Sequence, residues 1–214
     1  MNSSPRSMIH IVDHPLLRHK LGHLRSKTTP AHEFRSLTEE ISRSLAYEAL
    51  RSWRDFDQVE IETPIAKTRV DRMVNAPVVV SIMRAGNAML DAVLSMVPFA
   101  SAGFIGIYRD KFVHSTVEYY FKMPQEIKGK VAILCDPLIA TGDTIIAAIE
   151  RLKSHDVKQI VVLNILISEF AVQRLSELHA DVEVYTVNVE REMNAEGYLV
   201  PGLGDAGDRL YQTK

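Results

Sequence analysis

The chain has one cysteine, Cys135, in 214 residues. A lone thiol excludes an internal disulfide framework, and its place in an apolar run assigns it to packing. No apolar stretch approaches the roughly 18 residues of a membrane span, so no membrane association is expected. No continuous apolar segment follows the start, so no secretory signal is expected and the cytoplasm is the default location. Charge of either sign is not in excess. Lys plus Arg number 25 and Asp plus Glu 27, a net −2 with a pI near 6.4. That balance gives no electrostatic footprint for nucleic acid and argues against an RNA-binding regulator. Two nucleotide motifs are also missing. There is no G-x-x-x-x-G-K-[ST], and no G-x-G-x-x-G opens a helix after the first strand. A P-loop kinase and a Rossmann dehydrogenase are therefore disfavoured.

What remains is an ordinary globular composition, 46% hydrophobic and 24% charged, long enough for one domain with a sizeable core. Residues 1–30 are basic and read as an irregular arm. Its His10, His14, His19 and His23 have no Cys or acid spacing that would make a metal site. Phe34, Leu37, Ile41, Leu45, Ala49 and Trp53 recur at helical spacing and predict an amphipathic helix over 34–53. A strand–helix rhythm then begins. Strands are expected at 78–82, 102–108, 131–135, 160–167 and 182–189, and helices at 88–97, 145–153 and 169–179. Apolar strands alternating with helices predict an α/β fold with a mainly parallel central sheet flanked by helices. Residues 109–127 break the rhythm with a β-like, aromatic stretch at 116–122. They read as a projecting hairpin that covers a site.

The most informative segment runs from Val131 to Thr144. A buried strand ends in Asp136-Pro137-Leu138-Ile139-Ala140, then Thr141-Gly142-Asp143-Thr144 turns into a helix. Amides at such a helix start are unpaired, and the helix dipole favours an anion there. Hydroxyls of Thr141 and Thr144 can add donors. Asp136 stands at the carboxyl end of a strand, where open α/β sheets bind ligands. An acid for sugar hydroxyls followed by a phosphate turn suits a sugar 5′-phosphate. The plain alternative is a strand–loop–helix crossover without a ligand. Arg84, in Met83-Arg84-Ala85-Gly86, is placed to meet phosphate or pyrophosphate, and Arg109-Asp110 is a weaker loop pair. From Gly197 to Arg209, four glycines, a proline and two further acids give a segment that builds neither helix nor ordinary strand and lets backbone approach a ligand.

These residues resemble the uracil phosphoribosyltransferase family over nearly the whole chain, from about Ile9 to Lys214. The resemblance is carried by HPLLRHKLGHLR, FRSLTEEISRSLAYEAL, VEIETPIAKT, MRAG, IGIYRD, VEYYFKMP, DPLIATGDT and GYLVPGLGDAGDRLYQTK. It implies a single phosphoribosyltransferase domain over 1–214. The implied reaction is uracil plus 5-phosphoribosyl-1-pyrophosphate giving UMP and pyrophosphate. The implied cofactor is Mg²⁺, held mainly through the substrate pyrophosphate with Asp205 as the candidate protein contact. Arg84 and Arg109 fall on the pyrophosphate side and Asp136 on the ribose hydroxyls. Pro137, Leu138, Ile139, Ala140, Thr141, Gly142, Asp143 and Thr144 make the 5′-phosphate loop. Leu199, Gly204, Asp205 and Ala206 read uracil in the tail, 197–214. The catalytic set is Arg84, Asp136 and Asp205. A homodimer or larger homo-oligomer and a GTP effector are the partners implied besides the substrates.

The chain departs from the family pattern around the donor. Asp143 stands where members usually carry Gly or Asn, in a loop ending Thr-Gly-Gly-Ser. Ser81, Asn87 and Ala88 replace Pro, a hydrophobe and Gly around Arg84. Ser168-Glu169-Phe170 replaces Pro-Glu-Gly. A carboxylate ~6 Å from a phosphate dianion costs roughly 1–5 kcal/mol, unless Asp143 turns away or caps the helix. A degenerate homologue that binds uracil, UMP or a partner subunit is therefore the second reading.

Overall fold

The structure, a computed structural model, describes residues 9–109 and 116–213. Three strands cross in the order the apolar runs predict: β4 (Val78–Met83), β5 (Ser101–Arg109) and β7 (Val131–Cys135). Preceding them are β1 (Ile9–Ile11), α1 (Pro15–Arg25), α2 (Ala31–Ala49), β2 (Phe56–Glu62) and β3 (Lys67–Met73). Between and after them come α3 (Gly86–Met96), β6 (Thr116–Lys122), β8 (Leu138–Ile139), α4 (Asp143–Lys153), β9 (Gln159–Ser168) and α5 (Glu169–Leu178). The chain closes with β10 (Glu183–Glu190), β11 (Glu192–Met193), β12 (Leu199–Val200) and α6 (Ala206–Tyr211).

The main sheet has the order β1-β10-β9-β7-β4-β5-β6, with β8 added on β9. All its pairs are parallel except β5 with β6 at one edge. Both faces are covered, which explains why the inner strands read as continuous apolar runs instead of alternating ones. Val79, Ile133 and Leu163 face a core built with Leu17, Leu24, Phe34, Ile41 and Leu45 of α1 and α2. Val78, Val80, Ala132, Leu134 and Val162 face the opposite core with Ile145, Ile149 and Leu175 of α4 and α5. The period-2 alternation of each strand thus divides its residues between two helical layers.

Several local expectations change. Of the segment 1–30, expected to be an irregular arm, residues 9–30 are described, and they hold β1 and α1. His14 caps α1 by accepting the Leu16 amide, Pro15 fits its first turn, and Leu17, Leu21 and Leu24 form its buried stripe. The helix expected at 34–53 is α2, buried along Phe34, Ile41, Leu45 and Ala49 and followed by a 3₁₀ turn at Leu50–Ser52. Residues 116–122 are an edge strand of the main sheet, antiparallel to β5, and residues 110–115 lie outside the described residues. Two small two-stranded sheets stand apart from the main sheet, β11–β12 and β2–β3, and the latter carries little apolar periodicity and no core residues. The tail does hold a helix, α6, capped by Asp205. Among the described residues no helix is long and apolar enough to cross a membrane.

The tail is fastened to the N-terminal helices by three arginines. Arg209 donates to the carbonyls of Leu24, Leu203 and Ser26 at 2.7, 2.8 and 2.6 Å and lies 4.3 Å over the Phe34 ring. Arg25 donates to the Gly202 carbonyl at 2.8 Å and pairs with Glu190. Arg35 donates to the Leu210 carbonyl at 2.7 Å. Arg209→Ala should therefore destabilise the fold by about 2–4 kcal/mol, from lost charge-assisted bonds and the ring contact. Equilibrium denaturation in urea measures this, and a change under about 0.5 kcal/mol would show that the tail is held by its apolar residues alone.

Candidate active site

Chain order places β5 on one side of β4 and β7 on the other. A crevice opens beyond the carboxyl ends of β4 and β7, where the strand order reverses, and that is where doubly wound sheets take ligands. The loop after β7 supplies Asp136. Its backbone is fixed from behind: Asp136 N–H donates to the Leu163 carbonyl at 3.2 Å, and Asn164 Nδ2 donates to the Asp136 carbonyl at 2.9 Å. The fully buried Asn164 is in turn held through its Oδ1 by the Thr186 hydroxyl at 3.0 Å. Burial pushes the Asp136 carboxyl up to about 7, against the opposing pull of the Leu138 amide.

Asp136 lines a cleft of about 350 Å³ with Leu138 to Ile145, and with Glu196, Gly197 and Asp205 of the tail. Residues from both ends of the sequence argument, the phosphate turn and the glycine-rich tail, therefore share one cavity. Gly142, at φ 84°, is the N-cap of α4, a conformation suited to glycine. Asp143 is the first helical residue and does not cap the helix. Arg174 Nη1 of α5 donates to Asp143 Oδ1 at 2.6 Å, and the Thr141 hydroxyl donates to Asp143 Oδ2 at 2.8 Å. The expected bare carboxylate beside the phosphate turn is thus corrected: it is paired. The Thr141 proton, read as a phosphate donor, is directed to Asp143.

Arg84 follows a cis Met83–Arg84 peptide and points to the tail. Nη1 donates to the Thr213 hydroxyl at 3.0 Å, and Nη2 reaches Asp208 at 3.4 Å. The Tyr211 hydroxyl donates to the Arg84 carbonyl at 3.1 Å. A methyl group on Gly207 would stand 3.3 Å from both Arg84 Nη2 and Asp205 Oδ1, so these two side chains flank Gly207. Asp205 Oδ1 accepts the Asp208 amide at 2.9 Å. Two of the neighbours of Arg84 that depart from the family pattern form a pair of their own, Ser81 donating to Asn87 Oδ1 at 2.7 Å.

Not every expected residue faces the cleft. Pro137 is buried, its carbonyl accepting the amides of Ile165 and Leu166 at 3.1 Å. The Leu199 side chain is in the core, leaving only its backbone for a ligand. Ala206 is buried, and Gly204, at φ 80°, makes the turn before α6. Arg109 ends β5, and its side chain and Asp110 lie outside the described residues. Sequence reasoning missed Asn164, Arg174 and Glu196. Asn164 had a signal, as a lone amide in an apolar strand; Arg174 and Glu196 had none, being ordinary polar residues on a helix and a turn. No group of three potential metal-ligating side chains occurs among the described residues.

The architecture is that of a phosphoribosyltransferase. A hypoxanthine-guanine phosphoribosyltransferase from Bacillus anthracis shares the fold, with a TM-score of 0.51 over 75% of this chain and 80% of that one at 12% identity. The uracil phosphoribosyltransferase family model matches residues 11–213, and the chain belongs to that family. A uracil phosphoribosyltransferase from Variovorax paradoxus is 44% identical over 210 residues, covering 97% of this chain and 100% of the relative. One from Clostridium kluyveri is 43% identical over 95% of this chain and 97% of its own. The solved AQ2163 protein from Aquifex aeolicus superposes with a TM-score of 0.90 at 33% identity, covering 96% of this chain and 99% of that one.

Proposed function

We propose that the protein transfers the 5-phosphoribosyl group from 5-phosphoribosyl-1-pyrophosphate to uracil, giving UMP and pyrophosphate. The observation that carries this reading is the shared cleft. Asp136 and the Thr141–Thr144 turn face Asp205 and Gly197 of the tail across it, within a full-length match to the family. In the reaction the uracil ring nitrogen bonds to the ribose anomeric carbon as the bond to the pyrophosphate oxygen breaks. The nitrogen gives up its proton and pyrophosphate takes the bonding pair. No protein nucleophile is required, so the residues act by positioning and charge. Asp136 accepts from the ribose hydroxyls, and the amides of 140–144 with the Thr144 hydroxyl hold the 5′-phosphate. Arg84 and Arg109 take the pyrophosphate side. The tail backbone at Leu199, Gly204 and Ala206 reads the base, with Asp205 between base and donor.

The cleft itself supports a metal-bound donor. Four carboxylates line it, from Asp136, Asp143, Glu196 and Asp205, of which, among the described residues, Asp143 alone is paired with a cation, Arg174, from outside the lining. A polyphosphate would be repelled there without a cation of its own. Asp205 is the protein group that would hold Mg²⁺, the rest of its shell coming from substrate phosphates and water. When bound, the ion lowers the charge that the leaving pyrophosphate develops. The reading includes one catalytic domain over 1–214, a cytoplasmic enzyme and a homodimer or larger assembly. The assembly is supported by the exposed apolar side chains of Leu16 and Tyr47, which line one surface cavity, and of Ile11 in the cavity that shares His14 and Glu48 with it. GTP as an effector is tested by adding it to the assay.

Nothing observed favours an inactive homologue. Incubating the protein with uracil, the pyrophosphate donor and Mg²⁺ should yield UMP, measured by chromatography. Arg84→Ala should lower the rate at least about tenfold, from one lost charge-assisted contact of about 1.5 kcal/mol or more. No UMP from the unmodified protein would overturn the reading, and a full rate in the variant would remove Arg84 from the mechanism.

A further inference from the structure

Helix α5 stands directly behind the phosphate turn and touches it at one face, through residues 168, 171 and 174. Ser168 caps α5 by accepting the Ala171 amide at 2.8 Å, and its hydroxyl donates to the Ala140 carbonyl. Ala171 supports the glycine of the turn: a Cβ on Gly142 would lie 3.4 Å from its methyl group. One turn on, Arg174 Nη1 donates both to the Thr141 carbonyl and to Asp143 Oδ1, each at 2.6 Å. Its guanidinium lies 5.7 Å from the centre of the Phe170 ring. This i, i+3, i+6 spacing keeps all three contacts on one side of the helix. Three of the residues that differ from the family pattern, Asp143, Ser168 and Phe170, are members of this contact set.

Arg174 is not among the residues lining the cleft. It reaches the turn from the α5 side, and its side chain and that of Asp143 are each less than a third exposed, at 29% and 28%. Both oxygens of Asp143 are engaged, one by Arg174 and one by Thr141. A carboxylate at the start of α4 suits the helix dipole but competes with any anion bound there. A guanidinium fixed on that carboxylate cancels its charge and holds it toward α5. Holding the Thr141 carbonyl in the same grip turns that acceptor away from an incoming anion as well.

We propose that Arg174 is a positioning residue for the phosphoribosyl donor, and that the Arg174–Asp143 pair makes an acid-containing turn competent to bind a 5′-phosphate. The inference rests on the donor reading given above. It concerns charge, so it separates from a purely structural role of Arg174. Arg174→Ala should raise the donor KM at least about tenfold, with the uracil KM changed less than about twofold. The rise should be larger at low salt than at high salt, because a partly exposed carboxylate is screened. The deciding comparison is a cycle with Asp143→Asn. Removing the Asp143 charge should lower the donor KM at least about fivefold more in the Arg174→Ala background than in the unmodified enzyme.

Arg174→Lys keeps the charge with fewer donors and should fall between the unmodified enzyme and Arg174→Ala, which keeps the test open if the alanine variant folds poorly. An unchanged donor KM in Arg174→Ala would overturn the proposal. So would a double variant no better than Arg174→Ala, since that outcome makes Arg174 a brace for the Thr141 carbonyl alone. Calorimetric titration with ribose 5-phosphate applies the same cycle to binding without turnover. If the unmodified protein makes no UMP but binds ribose 5-phosphate with the predicted coupling, the catalytic reading fails and this inference stands. If it makes UMP without the coupling, the reverse holds.

Discussion

Cytosine and hypoxanthine should be used at least about 10⁴-fold less efficiently than uracil, compared as kcat/KM. The tail segment proposed to read the base is mostly backbone turns, held in place by close packing. Gly202, at φ 56°, sits so close to the Leu199 carbonyl that a Cβ would be 2.2 Å from its oxygen. Gly204 turns at φ 80° into α6, and the first amides of that helix have no intrahelical acceptor. Asp205 takes the Asp208 amide and so fixes the start of that helix. Three arginines fasten this segment to α1, α2 and the end of β10. It cannot easily re-form around a different donor and acceptor pattern. An exocyclic amine in place of a carbonyl leaves buried groups unpaired, and sites that hydrogen-bond their substrate reach rejection factors of about 10⁴–10⁵. Initial rates with each base at saturating donor measure this. Comparable use of cytosine would contradict the tail as the base-reading element.

The parts of the site that were legible in the sequence are those set by local backbone chemistry. The strand 131–135, the turn at Gly142 and the start of α4 are written in consecutive residues, so their geometry follows from neighbours along the chain. The tail was legible as a glycine-rich turn segment, but α6 was not. Its helix is only Ala206–Tyr211 and depends on the Asp205 cap and on the burial of Leu210, a tertiary cause. α1 was hidden for a similar reason: four histidines and several basic residues obscure the stripe of Leu17, Leu21 and Leu24. The charge on Asp143 was legible and its pairing was not. Its partner Arg174 lies 31 residues further on and becomes a neighbour only because β9 returns the chain beside β7. The same return brings Asn164 under Asp136. Long-range pairing of this kind leaves no periodic trace.

Asp136→Asn should lower turnover about a hundredfold and remove a pH dependence expected of the unmodified protein. The proposed role needs the carboxylate. Two ribose hydroxyls donating to an ionised acid are charge-assisted bonds of at least about 1.5 kcal/mol each, and losing both is about two factors of ten. Burial holds the Asp136 carboxyl up to about 7, so the neutral form is appreciable near neutrality. Donor affinity should therefore fall as pH drops below about 7, by roughly tenfold for each further pH unit. Stability should move the other way. The native state keeps a proton on Asp136 between the unfolded-state value near 4 and the folded value near 7. The unfolded chain has released that proton, so this residue's contribution to stability declines as pH rises through that window. The variant has no such proton, and the difference in melting temperature between it and the unmodified protein should grow in the variant's favour from pH 5 to pH 8. Calorimetric donor titrations and melting curves at several pH values measure both slopes on folded protein, independent of residual activity. An acidic limb of the same size in Asp136→Asn would assign that limb to another group, such as the donor phosphate. A full rate in the variant would remove Asp136 from the ribose site. The buried Asn164 support should persist in either case, since it binds the backbone carbonyl of residue 136 and not its side chain.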